Sequence, residues 1–129
     1  MGSIAKKLDW KTLPIPDQNE LIEFRMDLSQ VEYNQIKLGL KPGNMDSKWF
    51  IYSESDHLFF HRSWTGHCIY ILKLNQADKR CYLSDLQVNR DPVQYKHHDA
   101  ETERKLVQFV IEKVLLKKNV PFPKFEYDE

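Results

Sequence analysis

Between Ile22 and Leu28 the chain alternates strictly, with Ile22, Phe24, Met26 and Leu28 set against Glu23, Arg25 and Asp27. That is the period of a half-buried strand. The pattern changes at Ser29, which forms a capping box with Glu32 and so predicts a helix start. The helix should run to about Leu40, bury Val31, Ile36 and Leu40, and stop at Lys41-Pro42-Gly43, with Gly39 weakening its last turn. Four apolar runs of strand character follow: Trp49–Glu54, His57–Trp64, His67–Asn75 and Arg80–Arg90. Ser55-Asp56 and Thr65-Gly66 are short enough for tight hairpin turns. Gln76–Lys79 is a polar loop, and Asp91-Pro92 ends the last strand because proline cannot donate to the ladder.

A second helix is predicted from Asp99. Glu101 and Glu103 lie in its first turn and Lys117 and Lys118 in its last, matching the helix dipole at both ends. Leu106, Val110 and Val114, flanked by Val107, Ile111 and Leu115, form a broad apolar stripe. The elements predict a single α+β domain over residues 1–129, in β-α-β-β-β-β-α order. Its mostly antiparallel sheet of about five strands should carry two helices on one face. Residues 1–20, with Pro14 and Pro16, read as an extended N-terminal arm pinned by Trp10, Leu13 and Ile15. Residues 119–129, with Pro121-Phe122-Pro123-Lys124-Phe125, read as an extended C-terminal tail.

Tight turns fix register, so the meander can be drawn on paper. A turn at Thr65-Gly66 sets Tyr70 opposite His61 and Cys68 opposite Ser63; the neighbouring hairpins set Phe50 opposite His61 and Asp85 opposite Tyr70. One face then carries Trp49, Ile51, Phe60, Ile69, Ile71, Leu86 and Val88 as the core. The other carries the row Phe50, His61, Tyr70, Asp85, flanked by Tyr52, Phe59, Leu72 and Leu83. Opposed side chains on one face lie about 5 Å apart, so imidazole, phenol and carboxylate would become neighbours on an aromatic floor. Arg62 falls on the core face beside Trp49, where a guanidinium stacks on an indole.

Composition narrows the function. Lys and Arg number 19, as do Asp and Glu; a protein living on the phosphate backbone carries a basic excess, so general nucleic-acid binding is not expected. No run approaches the ~18 apolar residues of a membrane span, and the first residues lack a signal core, so no membrane partner is expected. Lys6 stands where a myristoylation signal needs Ser or Thr. These features predict a cytoplasmic protein with Cys68 and Cys81 as free thiols.

The candidate ligand site is His61, Arg62, Ser63, Trp64, Tyr70 and Asp85, with Tyr52 on the same floor and Arg90 in the connector running from Val88 to His98. Arg62 suits a phosphate or carboxylate, Trp64 or Tyr70 a planar ring, and His61 with Asp85 hydroxyl groups. The mixture fits an anionic, ring-bearing small molecule such as a nucleotide. A plainer reading has the arm or the tail covering this face, with its polar groups satisfied by backbone. A protein-interaction module (an inhibitor, immunity-type or adaptor protein) is the alternative. A small hydrolase or transferase using His61 and Asp85, with Ser63 or Cys68 as nucleophile, is the third. No nucleophile elbow or phosphate-cradling glycine loop is present, and no cofactor is implied. His57, His61 and His67 are scattered by strand alternation and His97-His98 are adjacent, so no metal site is expected.

Overall fold

The computed structural model describes residues 4–42 and 48–123. The expected helix stop at Gly43 and the expected extended tail beyond Pro123 lie outside the described residues. Strands β1 (Asn19–Leu28), β2 (Trp49–Glu54), β3 (His57–Arg62), β4 (Cys68–Ala77) and β5 (Arg80–Asn89) form one antiparallel sheet in the order β1-β5-β4-β3-β2. Helix α1 (Gln30–Lys37) and helix α2 (Ala100–Phe109), which continues as a π-helical turn over Val110–Leu115, pack on one face. The predicted element order and architecture hold.

Local chemistry explains both helix starts. Ser29 accepts from the Glu32 amide at 3.0 Å while Glu32 reaches back to the Ser29 amide at 2.9 Å; Asp99 accepts from the Thr102 amide at 2.8 Å. Helix α1 is shorter than predicted and buries Tyr33 and Ile36, whereas Val31 is exposed. Its last turn ends at Gly39, whose φ of +71° needs no Cβ. Leu40 then pairs with Ile51. Between the helices and the sheet lie Ile36, Leu58, Phe60, Leu72, Leu83, Leu86 and Ile111, all fully buried.

The hairpins correct the paper register at two of the three reversals. Ser55 and Asp56, at φ 51° and 61°, make the expected tight turn, and Trp49–Arg62, Phe50–His61 and Tyr52–Phe59 pair as predicted. The next reversal is not a turn at Thr65-Gly66 alone. Arg62 donates its amide to the His67 carbonyl and accepts from the Gly66 amide, so Ser63 to Gly66 form a four-residue loop. Immediately after it, Phe60 pairs with Tyr70 but His61 with Cys68, which leaves Ile69 as an extra residue in β4. That β-bulge turns Tyr70, Leu72 and Leu74 toward the helices. The choice follows from burial: the alternate set contains Lys73 and Asn75, which an apolar core would leave unsatisfied. A second irregularity sits at Asp85, with φ +54° in β5. The expected Gln76–Lys79 loop is instead a two-residue turn, Asp78-Lys79 at φ 50° and 65°, which pairs Ala77 with Arg80; that turn and the irregularity together set Tyr70 opposite Val88, not Asp85.

The opposite face is covered where it belongs to β2 and β3. Phe50 and Tyr52 are buried together with Ala5 of the N-terminal arm, with Phe59 against them. The arm contains a short turn, Lys7–Asp9. It is stitched down by Ala5 N to Leu38 O at 2.8 Å, Leu13 N to Gly66 O at 2.8 Å, and Trp10 Nε1 to Ser63 O at 2.7 Å. Trp10 also stacks on Phe50 at 6.3 Å.

Gly39→Ala tests the α1 exit. A Cβ there would collide with the Ile51 carbonyl oxygen at positive φ, so thermal or urea unfolding should show a loss of about 1–3 kcal/mol.

Candidate functional site

Strand alternation from Leu58 through Phe60 delivers Arg62 to the helix face, at the end of β3. There the guanidinium lies 4.4 Å over the Trp49 ring and 5.9 Å from the Tyr95 ring. The stacking on Trp49 follows the predicted pairing. Among the described residues no carboxylate forms an ion pair with Arg62.

The wall opposite comes from the connector between β5 and α2. It is ordered by its own hydrogen bonds. The Asp91 carbonyl accepts from the Gln94 and Tyr95 amides at 3.0 Å each, and the Asp91 carboxylate accepts from the Val93 amide at 2.9 Å. Fully buried Asn89 ties this turn to the sheet, donating to the Cys68 carbonyl at 2.9 Å and to the Gln94 side chain at 2.8 Å. Tyr95 is consequently held beside Arg62, not free in a solvated loop.

Behind Tyr95 lies a carboxylate with no exposure. Glu103 Oε2 accepts from Arg90 at 2.9 Å, while Oε1 lies 2.7 Å from the Tyr95 hydroxyl and 2.9 Å from the Tyr70 hydroxyl; the two hydroxyls are 2.8 Å apart. Two phenolic protons serve three oxygen contacts, so two are bonds at any moment. Burial, with the nearby Glu103 charge, pushes both phenols above their usual range, which keeps them as donors. Arg90 also pairs with Glu20 at 2.8 Å. Sequence reasoning assigned Glu103 to the helix dipole. Its position four residues before Val107, on the apolar stripe, was the signal that it points inward.

Two chambers open around Arg62, and Lys48 and Arg62 line both. The first, about 440 Å³, takes its remaining wall from Trp64, Thr65, His67, Val93 and Gln94. The second, about 490 Å³, is floored by Trp49, Tyr70 and Tyr95, with Phe109 and Phe122 on the helix side and Lys96 and His98 at its rim. No acidic side chain among the described residues lines either chamber. Among the described residues, cations thus gather beside aromatic walls.

The predicted site residues separate into distinct places. Arg62 and Trp64 border the chambers, and the Tyr70 ring reaches the second one from the core. His61 and Tyr52 lie on the other face, stacked at 5.5 Å, beside a cavity of about 380 Å³ beneath Leu13, Pro14 and Ile15 of the arm. Ser63 is buried in the loop, and its carbonyl holds Trp10. Asp85 is exposed at the β5 irregularity, 3.4 Å from the Ser84 hydroxyl. Arg90 is committed to Glu20 and Glu103. The expected His61–Tyr70–Asp85 row does not form, because the Ile69 bulge reverses Tyr70. His61 sits in the row of Cys68 and Asn89, and Asp85 lies four residues down β5, about 13 Å along the strand. The His61–Asp85 dyad is thereby lost. Burial pushes the Cys68 thiol up to about 12, so it stays protonated and weakly nucleophilic.

His61 is almost fully buried. Its Nδ1–H donates to the Gly66 carbonyl at 2.9 Å, and Nε2 has no hydrogen-bond partner among the described residues. Comparison with family models, with curated proteins and with solved structures finds no match, so the functional assignment rests on the geometry.

Two stability measurements check this account. Glu103→Ala strips Arg90 and two phenols of their shared acceptor and should cost about 3–5 kcal/mol in urea unfolding. Burial lowers the His61 pKa from its ordinary 6.5. The unfolded chain therefore binds the proton first, and stability falls as pH drops through the unfolded value. Between pH 7.5 and 5.5, the wild type should lose more stability than His61→Asn, which keeps a donor for Gly66 and does not titrate.

Proposed function

We propose that this protein binds an anionic, ring-bearing small molecule of nucleotide type at the end of the sheet, with Arg62 as the anion contact. The support is the state of Arg62: stacked on Trp49, without a carboxylate partner among the described residues, in chambers with no acidic lining there. The indole occupies one face of the guanidinium, so its edge N–H groups remain for a planar, bidentate acceptor. Lys48, Lys96 and His98 add positive or protonatable groups around the second chamber, and Tyr95 offers a ring for stacking. Glu103 holds Tyr95 in place before any ligand arrives, which lowers the ordering cost of binding.

The proposed location is cytoplasmic, supported by the two buried, unbridged thiols Cys68 and Cys81. Among the described residues no helix is long and apolar enough to cross a membrane. A protein partner is the second reading, favoured by Trp64 and Val93, which border one chamber at 70% and 91% exposure.

Titration with adenosine monophosphate, followed by calorimetry and tryptophan fluorescence, tests the first reading. Binding should quench or shift the Trp49 signal, and Arg62→Gln should weaken it by about tenfold or more, the worth of a charged hydrogen bond. No heat and no spectral change with purine or pyrimidine monophosphates would remove the nucleotide assignment.

A further inference from the structure

The two chambers are separately walled yet meet at the same two cations, Lys48 and Arg62. Each volume lies inside the roughly 300–1,000 Å³ range of small-molecule sites. A mononucleotide needs one of them. Trp49 already stacks with Arg62 and Tyr70, so the second chamber offers the rings of Tyr95, Phe109 and Phe122; the first offers exposed Trp64, with Val93 also on its wall. Aromatic and apolar surface thus lies on either side of a shared cationic point. A base stacked on an aromatic side chain contributes whatever its sequence, because every base presents a π-face.

We infer that the natural ligand carries two ring-bearing groups joined through a phosphodiester, as in a dinucleotide, with the bridging phosphate at Arg62 and Lys48 and one ring in each chamber. The inference rests on the anion-binding role proposed for Arg62 and goes beyond it in ligand class. The rim of the second chamber is the place for a terminal phosphate, since Lys96 and His98 stand there. The first chamber has His67 as its added ring nitrogen donor or acceptor, which suits the hydroxyls of a second ribose. The two chambers supply two ring sites, so a longer strand gains little.

Isothermal titration of the full chain with four probes decides the matter: adenosine monophosphate, adenosine diphosphate, the 5′-phosphorylated adenylyl-adenosine dinucleotide, and an adenylate pentanucleotide. The dinucleotide should bind at least about tenfold tighter than the monophosphate, the equivalent of 1.4 kcal/mol. Adenosine diphosphate, which adds charge without a second ring, should fall short of it, and the pentanucleotide should match it. Val93→Glu, at a surface position that leaves the core untouched, and Trp64→Ala should each erase the dinucleotide's advantage. A dinucleotide no tighter than the monophosphate, or a diphosphate equal to it, overturns the two-chamber ligand while leaving mononucleotide binding intact. A further tenfold gain by the pentanucleotide also overturns it, in favour of a strand. Silence from every probe removes the nucleotide reading itself.

Discussion

A carboxylate withdrawn from water must be met by donors, and Glu103 is met by three: Arg90 and the hydroxyls of Tyr70 and Tyr95. Tyr70 comes from β4, Arg90 directly follows β5 and Tyr95 lies in the connector, while Glu103 itself belongs to α2. One acidic group thus joins the second helix, two central strands and the segment that walls the candidate site. Helix position, connector shape and the placement of Tyr95 are consequences of satisfying it. An apolar replacement of the whole cluster would remove the desolvation cost, but it would not dictate where Tyr95 stands. The buried polar group specifies geometry as much as it stabilises.

The second constraint is the bulge at Ile69. It decides which residues the sheet shows to the helices and which to the arm. Without it Tyr70 would lie beside His61, and the carboxylate of Glu103 would lose one donor. With it, Leu72 and Leu74 enter the core, while Lys73 and Asn75 turn outward. The register is therefore set by what can be buried, and the reversal at Ser63–Gly66 adapts to it.

Much of this was legible in the residues themselves. Strict alternation marked β1, the Ser29–Glu32 box marked the start of α1, and the Asp99 region marked α2. The Ser55-Asp56 turn fixed its hairpin correctly, which placed Arg62 on Trp49. The rest was hidden for a physical reason: a bulge leaves no signature in period-two patterning, and a single added residue reverses every side chain after it. Alternation within β4 alone, Tyr70-Leu72-Leu74 against Lys73-Asn75, held the missing cue. Likewise Glu103 reads as a surface residue until its place on the apolar stripe is weighed above its charge. The plainer expectation, that the arm covers the open face, describes His61 and Tyr52.

The stitching of the arm has a mechanical corollary. Its anchors, the Ser63 and Gly66 carbonyls, belong to the same short reversal that carries Trp64 and Thr65 into the first chamber. The strap on one side of the sheet and the cleft at its end consequently share a hinge. Peeling away Trp10 and Leu13 would unclamp that hinge, so the shape of the cleft is transmitted through the sheet's edge from the opposite side.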